Sequence, residues 1–85
     1  MKASAGTYES SDCTITVQKN DTLQINIESI VFEQFGDQIR EVIIQTLKQH
    51  KISNIRVDIF DKGALDYTVK ARLETALKRG DYIEW

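Results

Sequence analysis

Three stretches of the chain alternate apolar and polar residues with a period of two. Cys13, Ile15 and Val17 stand against Thr14, Thr16 and Gln18; Leu23, Ile25 and Ile27 against Gln24, Asn26 and Glu28; Ile55, Val57 and Ile59 against Arg56 and Asp58. This pattern belongs to a strand with one face buried, because successive side chains leave the pleat on opposite sides. Elsewhere the period changes. Phe35, Ile39, Val42, Ile43, Thr46 and Leu47 recur at helical spacing, and so do Leu65, Val69, Leu73, Ala76 and Leu77. Three one-sided strands and two one-sided helices bury their apolar faces by stacking as layers. The order predicts a small α+β domain, β-β-α-β-α, with a three-stranded mixed sheet and two helices packed on one face.

The connections refine this expectation. Lys19-Asn20-Asp21-Thr22 is turn chemistry, so the first two strands read as an antiparallel hairpin. The predicted strand order is 2-1-3, with the first strand central and any parallel crossover right-handed. Ser29 reads as the N-cap of the first helix, and Gly36 as a point of close backbone approach. Asp61-Lys62-Gly63 reads as a turn, Gly80 as the C′ residue of the second helix, and Tyr82, Ile83 and Trp85 as an apolar tail placed to dock back. The expected core is Ile15, Val17, Ile25, Ile27, Phe35, Ile39, Val42, Ile55, Val57, Leu73 and Leu77.

Eighty-five residues make one domain, too small for a deep pocket of its own and suited to a carrier, regulatory module or small subunit. Eleven Lys and Arg against 13 Asp and Glu give a net charge of −2, with the cations dispersed. A nucleic-acid binder concentrates cations to neutralise phosphates, so that class is not expected. No apolar run approaches the roughly 20 residues that span a bilayer, and Lys2 is not followed by the apolar run of a signal peptide. One cysteine forms no internal disulfide, and a cytoplasmic location is the expectation.

No residue combination here reads as an active site. His50 stands near a helix C-terminus, where an imidazolium meets the dipole favourably, with no nucleophile or acid placed to use it. Cys13 shares a face with Ile15 and Val17 and reads as a packed strand cysteine, lacking the partner ligands that zinc needs. Asp58, Asp61 and Asp66 are explained by a strand's polar face, a turn and a helix start, so no metal is expected. Gly63 lacks the other glycines and the lysine-serine pair of a P-loop. There remains Ala5-Gly6-Thr7-Tyr8-Glu9-Ser10-Ser11-Asp12, a polar segment displaying two hydroxyls with nothing nearby in sequence to activate them. Such a serine fits an attachment point better than an attacking group.

That segment, with Gln34-Phe35-Gly36-Asp37-Gln38-Ile39-Arg40 and Asp61-Lys62-Gly63-Ala64-Leu65-Asp66 continuing through Ala71-Arg72-Leu73-Glu74, resembles the citrate lyase acyl carrier proteins, the γ chains of that enzyme. The resemblance runs from residue 5 to residue 74, and Ile83-Glu84-Trp85 is similar to the family's aromatic, acidic end. It implies a non-catalytic carrier. The serine after Gly-Thr-x-Glu, here Ser10, would carry 2′-(5″-phosphoribosyl)-3′-dephospho-CoA through a phosphodiester, with Ser11 standing where some relatives have glycine. Residues 1–11 would be a flexible arm bearing that serine, and residues 12–85 a single acyl-carrier domain. The implied partners are the α and β subunits of citrate lyase, which exchange acetyl for citryl on the arm and cleave citryl to oxaloacetate, and the holo-carrier synthase that attaches the group. The carrier of malonate decarboxylase, which uses the same type of cofactor, is the near alternative. A non-carrier regulatory α+β domain binding a small ligand is the alternative from another class.

Overall fold

The computed structural model describes residues 2–85; Met1, the first residue of the expected arm, lies outside them. The elements are β1 (Ala3–Gly6), β2 (Cys13–Lys19), β3 (Gln24–Ser29), α1 (Phe32–Gln49), β4 (Ile55–Asp61) and α2 (Asp66–Arg79). They form one sheet in the order β1-β2-β4-β3. β2 is antiparallel to both β1 and β4, while β3 runs parallel to β4, joined to it through α1.

The register explains the core. Ile15 faces Ile59 and Val17 faces Val57 across β2 and β4, and Ile25 sits beside Val57. Every second residue of these strands therefore points to one side, where Cys13, Ile15, Val17, Ile25, Ile55, Val57 and Ile59 are buried. The helices cover that side, α1 over β3 and α2 over β1 and β2, and they pack against each other. From them come Ile39, Ile43 and Leu47 and then Val69, Leu73, Ala76 and Leu77, all buried.

The sheet departs from expectation in number and order. It has four strands rather than three, the first lying inside the segment read as an arm. β1 reads Ala-Ser-Ala-Gly, whose small side chains let α2 approach closely but give almost no hydrophobic alternation. The expected hairpin does not form, and β4 takes the central place expected of the first alternating strand. Parallel neighbours need a long crossover, which α1 supplies between β3 and β4. The residues between β2 and β3 instead carry the chain past the position that β4 fills.

Smaller differences follow from local chemistry. Phe35 is 45 % exposed and lies outside the core, and Ile27 and Val42 are only partly buried against it. Gly36 takes the inward place beside Phe35, and the close approach there is made by the Phe32 ring, within 2.8 Å of where a Cβ would lie. Ser29 ends β3 and is not the N-cap, which is Val31; its hydroxyl still accepts the Val31 N–H at 3.1 Å. α2 ends with Gly80 as C-cap and Asp81 in the left-handed region at φ 62°, while Tyr82 N–H donates to Leu77 C=O at 2.9 Å. This is a Schellman closure in which the C′ place belongs to Asp81. Tyr82 and Ile83 pack on the core, but Trp85 is exposed, with the Lys78 ammonium 5.6 Å from its ring centre.

Candidate attachment site

β2 begins at Cys13, opposite Asp61 at the end of β4, and β3 ends at Ser29, beside the same Asp61. The β1–β2 connection, the start of α1 and the start of α2 consequently gather at one end of the sheet. Ser10 lies in that β1–β2 connection.

The path to Ser10 is set at Gly6. Its φ is +108°, and a Cβ there would lie 1.9 Å from the Cys13 carbonyl oxygen, so only glycine fits. Thr7 N–H then donates to Cys13 C=O at 3.2 Å, and Asp12 N–H donates to Glu9 C=O at 3.2 Å, closing a β-turn over residues 9–12. Ser10 and Ser11 occupy its two central positions. Both are exposed, and among the described residues neither hydroxyl has a hydrogen-bond partner. Ser11 has φ 63°, and its N–H is held by Lys62 C=O at 2.8 Å.

Asp12 fastens this turn to the body. Its carboxylate accepts the Thr7 hydroxyl at 2.7 Å, the Cys13 N–H at 2.7 Å, and both Nε and Nη2 of Arg72 at 3.0 and 2.7 Å. The Thr7 oxygen in turn accepts Glu9 N–H at 3.2 Å. The Arg72 guanidinium first, and the Thr7 hydroxyl after it, hold the Asp12 carboxyl well below the usual carboxylate range. Lys62 N–H donates to Asp12 C=O at 2.9 Å, tying the turn to the β4–α2 loop as well.

That loop has its own anchor. Asp61 is buried, and its carboxylate accepts the Ser29 hydroxyl at 2.8 Å and the N–H groups of Gly63 and Ala64 at 3.1 and 2.9 Å. Asp66 accepts Gln38 Nε2, joining the starts of the two helices, and Asp58 is engaged by Asn26 and Arg56 on the open face of the sheet. The three aspartates thus have separate partners. Among the described residues no group of three or more His, Cys, Asp or Glu is placed to hold a metal ion.

The chain's other reactive side chains do not join Ser10. Cys13 is fully buried, and burial first, then the charges of Asp12 and Asp61, push its thiol up to about 12. His50 caps the far end of α1, with Nε2 2.8 Å from Glu74 of α2. Among the described residues no base or donor hydrogen-bonds the Ser10 hydroxyl. Beside the turn Tyr8 meets Phe60 edge-on at 5.6 Å, and an apolar groove lined by Val31, Phe35, Ala64, Leu65 and Tyr67 opens between the helix starts. Sequence reading selected Ser10 but missed Asp12 and Arg72, whose only signal was their presence in two of the recurring motifs. Arg72 and Glu74 of α2 both have partners within the chain.

Comparison with known proteins settles the family. The profile of an acyl-carrier family described as malonate decarboxylase delta subunit (MdcD) matches residues 1–80. The citrate lyase acyl carrier protein of Latilactobacillus sakei is 54 % identical over 79 residues, covering 92 % of this chain and 78 % of that protein. The chain belongs to the citrate lyase acyl carrier family. The Treponema denticola member is 39 % identical over 80 residues, covering 94 % of this chain and 92 % of its own length. A chain in the crystal structure of a Pseudomonas malonate decarboxylase hetero-tetramer with malonate has the same fold, with a TM-score of 0.74 at 20 % identity over 92 % of this chain and 81 % of its own. The motifs quoted from the sequence meet at the end described above. Asp12 pairs with Arg72, Ser11 and Asp12 bond Lys62, and Gln38 bonds Asp66.

Proposed function

We propose that the chain is the acyl carrier subunit of citrate lyase, carrying acetyl and citryl groups on 2′-(5″-phosphoribosyl)-3′-dephospho-CoA joined to Ser10 by a phosphodiester. The observation that supports this most is the placement of Ser10: an exposed hydroxyl at the apex of a braced turn, with no hydrogen-bond partner among the described residues. The residues fit such a group, because the hydroxyl is exposed and no described residue bonds it. When attached, the group supplies the thiol on which an acyl cargo is carried. The chain's own cysteine does not supply one, being buried with its proton held.

The protein's part is mechanical and electrostatic. The turn of residues 9–12 projects the tethered cargo from one end, and tethering raises its effective concentration at successive active sites. Catalysis belongs to the partners, for which we propose the α and β subunits of citrate lyase, with a holo-carrier synthase attaching the group. Among the described residues no helix is long and apolar enough to cross a membrane. The lone unpaired Cys13 supports a cytoplasmic setting. The fold is shared with one chain of a malonate decarboxylase hetero-tetramer, but the 54 % identity to a citrate lyase carrier favours the citrate lyase branch.

Peptide mass mapping of protein from its native host tests the assignment. A CoA-derived adduct larger than phosphopantetheine is expected on Ser10. Ser10→Ala should abolish activity of the lyase complex while moving stability by less than about 0.5 kcal/mol, as for an exposed loop side chain. An adduct on Ser11, or an active complex with no adduct, would overturn it. An unmodified chain that forms homo-oligomers outside any lyase complex would support the regulatory-domain reading instead.

A further inference from the structure

The turn that bears Ser10 is held by a residue 60 positions away in sequence. Arg72, on the second turn of α2, grips both oxygens of Asp12 through two guanidinium nitrogens, at 3.0 and 2.7 Å. The Asp12 side chain is only 13 % exposed and Arg72 is 37 % exposed, so the pair lies at the base of the turn and not on its outer rim. The same carboxylate takes the Thr7 hydroxyl and the Cys13 N–H, one on each side of the turn. Two planar forks joined in this way fix direction as well as distance.

We propose that Arg72 is a positioning residue for attachment at Ser10, acting through Asp12 to fix the backbone of the turn that presents the serine; the proposal rests on the carrier reading of Ser10. In the attachment step the Ser10 oxygen bonds to phosphorus of an activated phosphoanhydride donor. The donor's phosphoanhydride bond breaks, its phosphate portion leaves with the bonding pair, and the hydroxyl proton passes to a base of the transferase. The attacking oxygen must be in line with the leaving group, so a displacement of the order of 1 Å is enough to cost up to about a hundredfold in rate. Asp12 and Arg72 touch neither reacting atom. Their effect runs through the backbone of the turn.

The test is attachment kinetics on the full chain with a holo-carrier synthase and its activated donor, following the mass shift. Arg72→Ala and Asp12→Asn should each lower kcat about tenfold with KM changed less than about threefold, the mark of a misplaced nucleophile and not of lost docking. The double variant should be no slower than the slower single, because both remove one interaction. Arg72→Lys should recover only part of the rate, since an ammonium does not bridge both carboxylate oxygens as a fork does. If Arg72→Ala does not fold, Asp12→Asn and Arg72→Lys decide the matter alone. Rates within twofold of wild type in the folded variants would overturn the proposal. So would a raised KM confined to the Arg72 variants, which would make Arg72 a contact for the transferase. A wild-type chain that takes no group at Ser10 would instead overturn the carrier reading beneath it.

Discussion

Ser10 and Ser11 carry the same hydroxyl, but the backbone gives them different work. Ser11 stands at the third position of the turn with φ 63°, where a residue without a Cβ is at ease, and its N–H is tied to Lys62. Ser10 stands one place earlier, at ordinary φ, and has no such duty. A glycine at position 11 is what this geometry prefers. Ser11→Gly should therefore keep attachment at Ser10 at the wild-type level and change stability by less than about 1 kcal/mol, relief of the left-handed strain offsetting the freer unfolded chain. Mass mapping and a urea melt of that variant check it; loss of the adduct would show that the second hydroxyl takes part.

At the scale of elements, the sequence was legible wherever a pattern had amplitude. β2, β3 and β4 alternate Ile and Val with polar residues, and they are strands. β1 was not legible because Ala3 and Ala5 carry too little apolar surface to stand out against Ser4 and Gly6, although Ala5 is buried under α2. Strand order was misread because the Asn20-Asp21 turn fits a hairpin equally well, and local chemistry does not reveal which strand arrives later to fill the gap. Ser10 was singled out through its motif as the proposed attachment point, whereas the Arg72 clamp needed the fold to close first. In α1 the buried row is Gly36, Ile39, Ile43, Thr46 and Leu47, so Phe35 sits beside the stripe and not on it. Ile43→Ala, emptying a site with no exposure, should cost about 2–5 kcal/mol, while Phe35→Ala should cost about 1 kcal/mol or less. Equal losses in urea unfolding would mean the helix is rotated from the position described.

Across the whole molecule, the Asp12–Arg72 pair joins the first connection of the chain to the last helix, so its strength should appear in global stability as a function of pH. The folded-state pKa of Asp12 is depressed, chiefly by the Arg72 hydrogen bonds, from an unfolded value of about 3.9. A depressed carboxyl contributes stability in full above the unfolded pKa, and that contribution drains away as pH falls toward the folded one. Arg72 is shifted further upward and stays charged throughout. The stability difference between wild type and Asp12→Asn should therefore be constant from about pH 7 to pH 5 and shrink progressively below pH 4, where the unfolded wild-type chain takes up a proton that the folded chain refuses. The slope should stay below about 1 kcal/mol per pH unit, since Arg72 is 37 % exposed and solvent screens the pair. The other carboxylates are common to both proteins and cancel in the difference. Urea midpoints taken from pH 7 to pH 2.5 measure it, and parallel curves for the two proteins over that range would show that the clamp carries no differential proton affinity and that the turn is held by its backbone bonds alone.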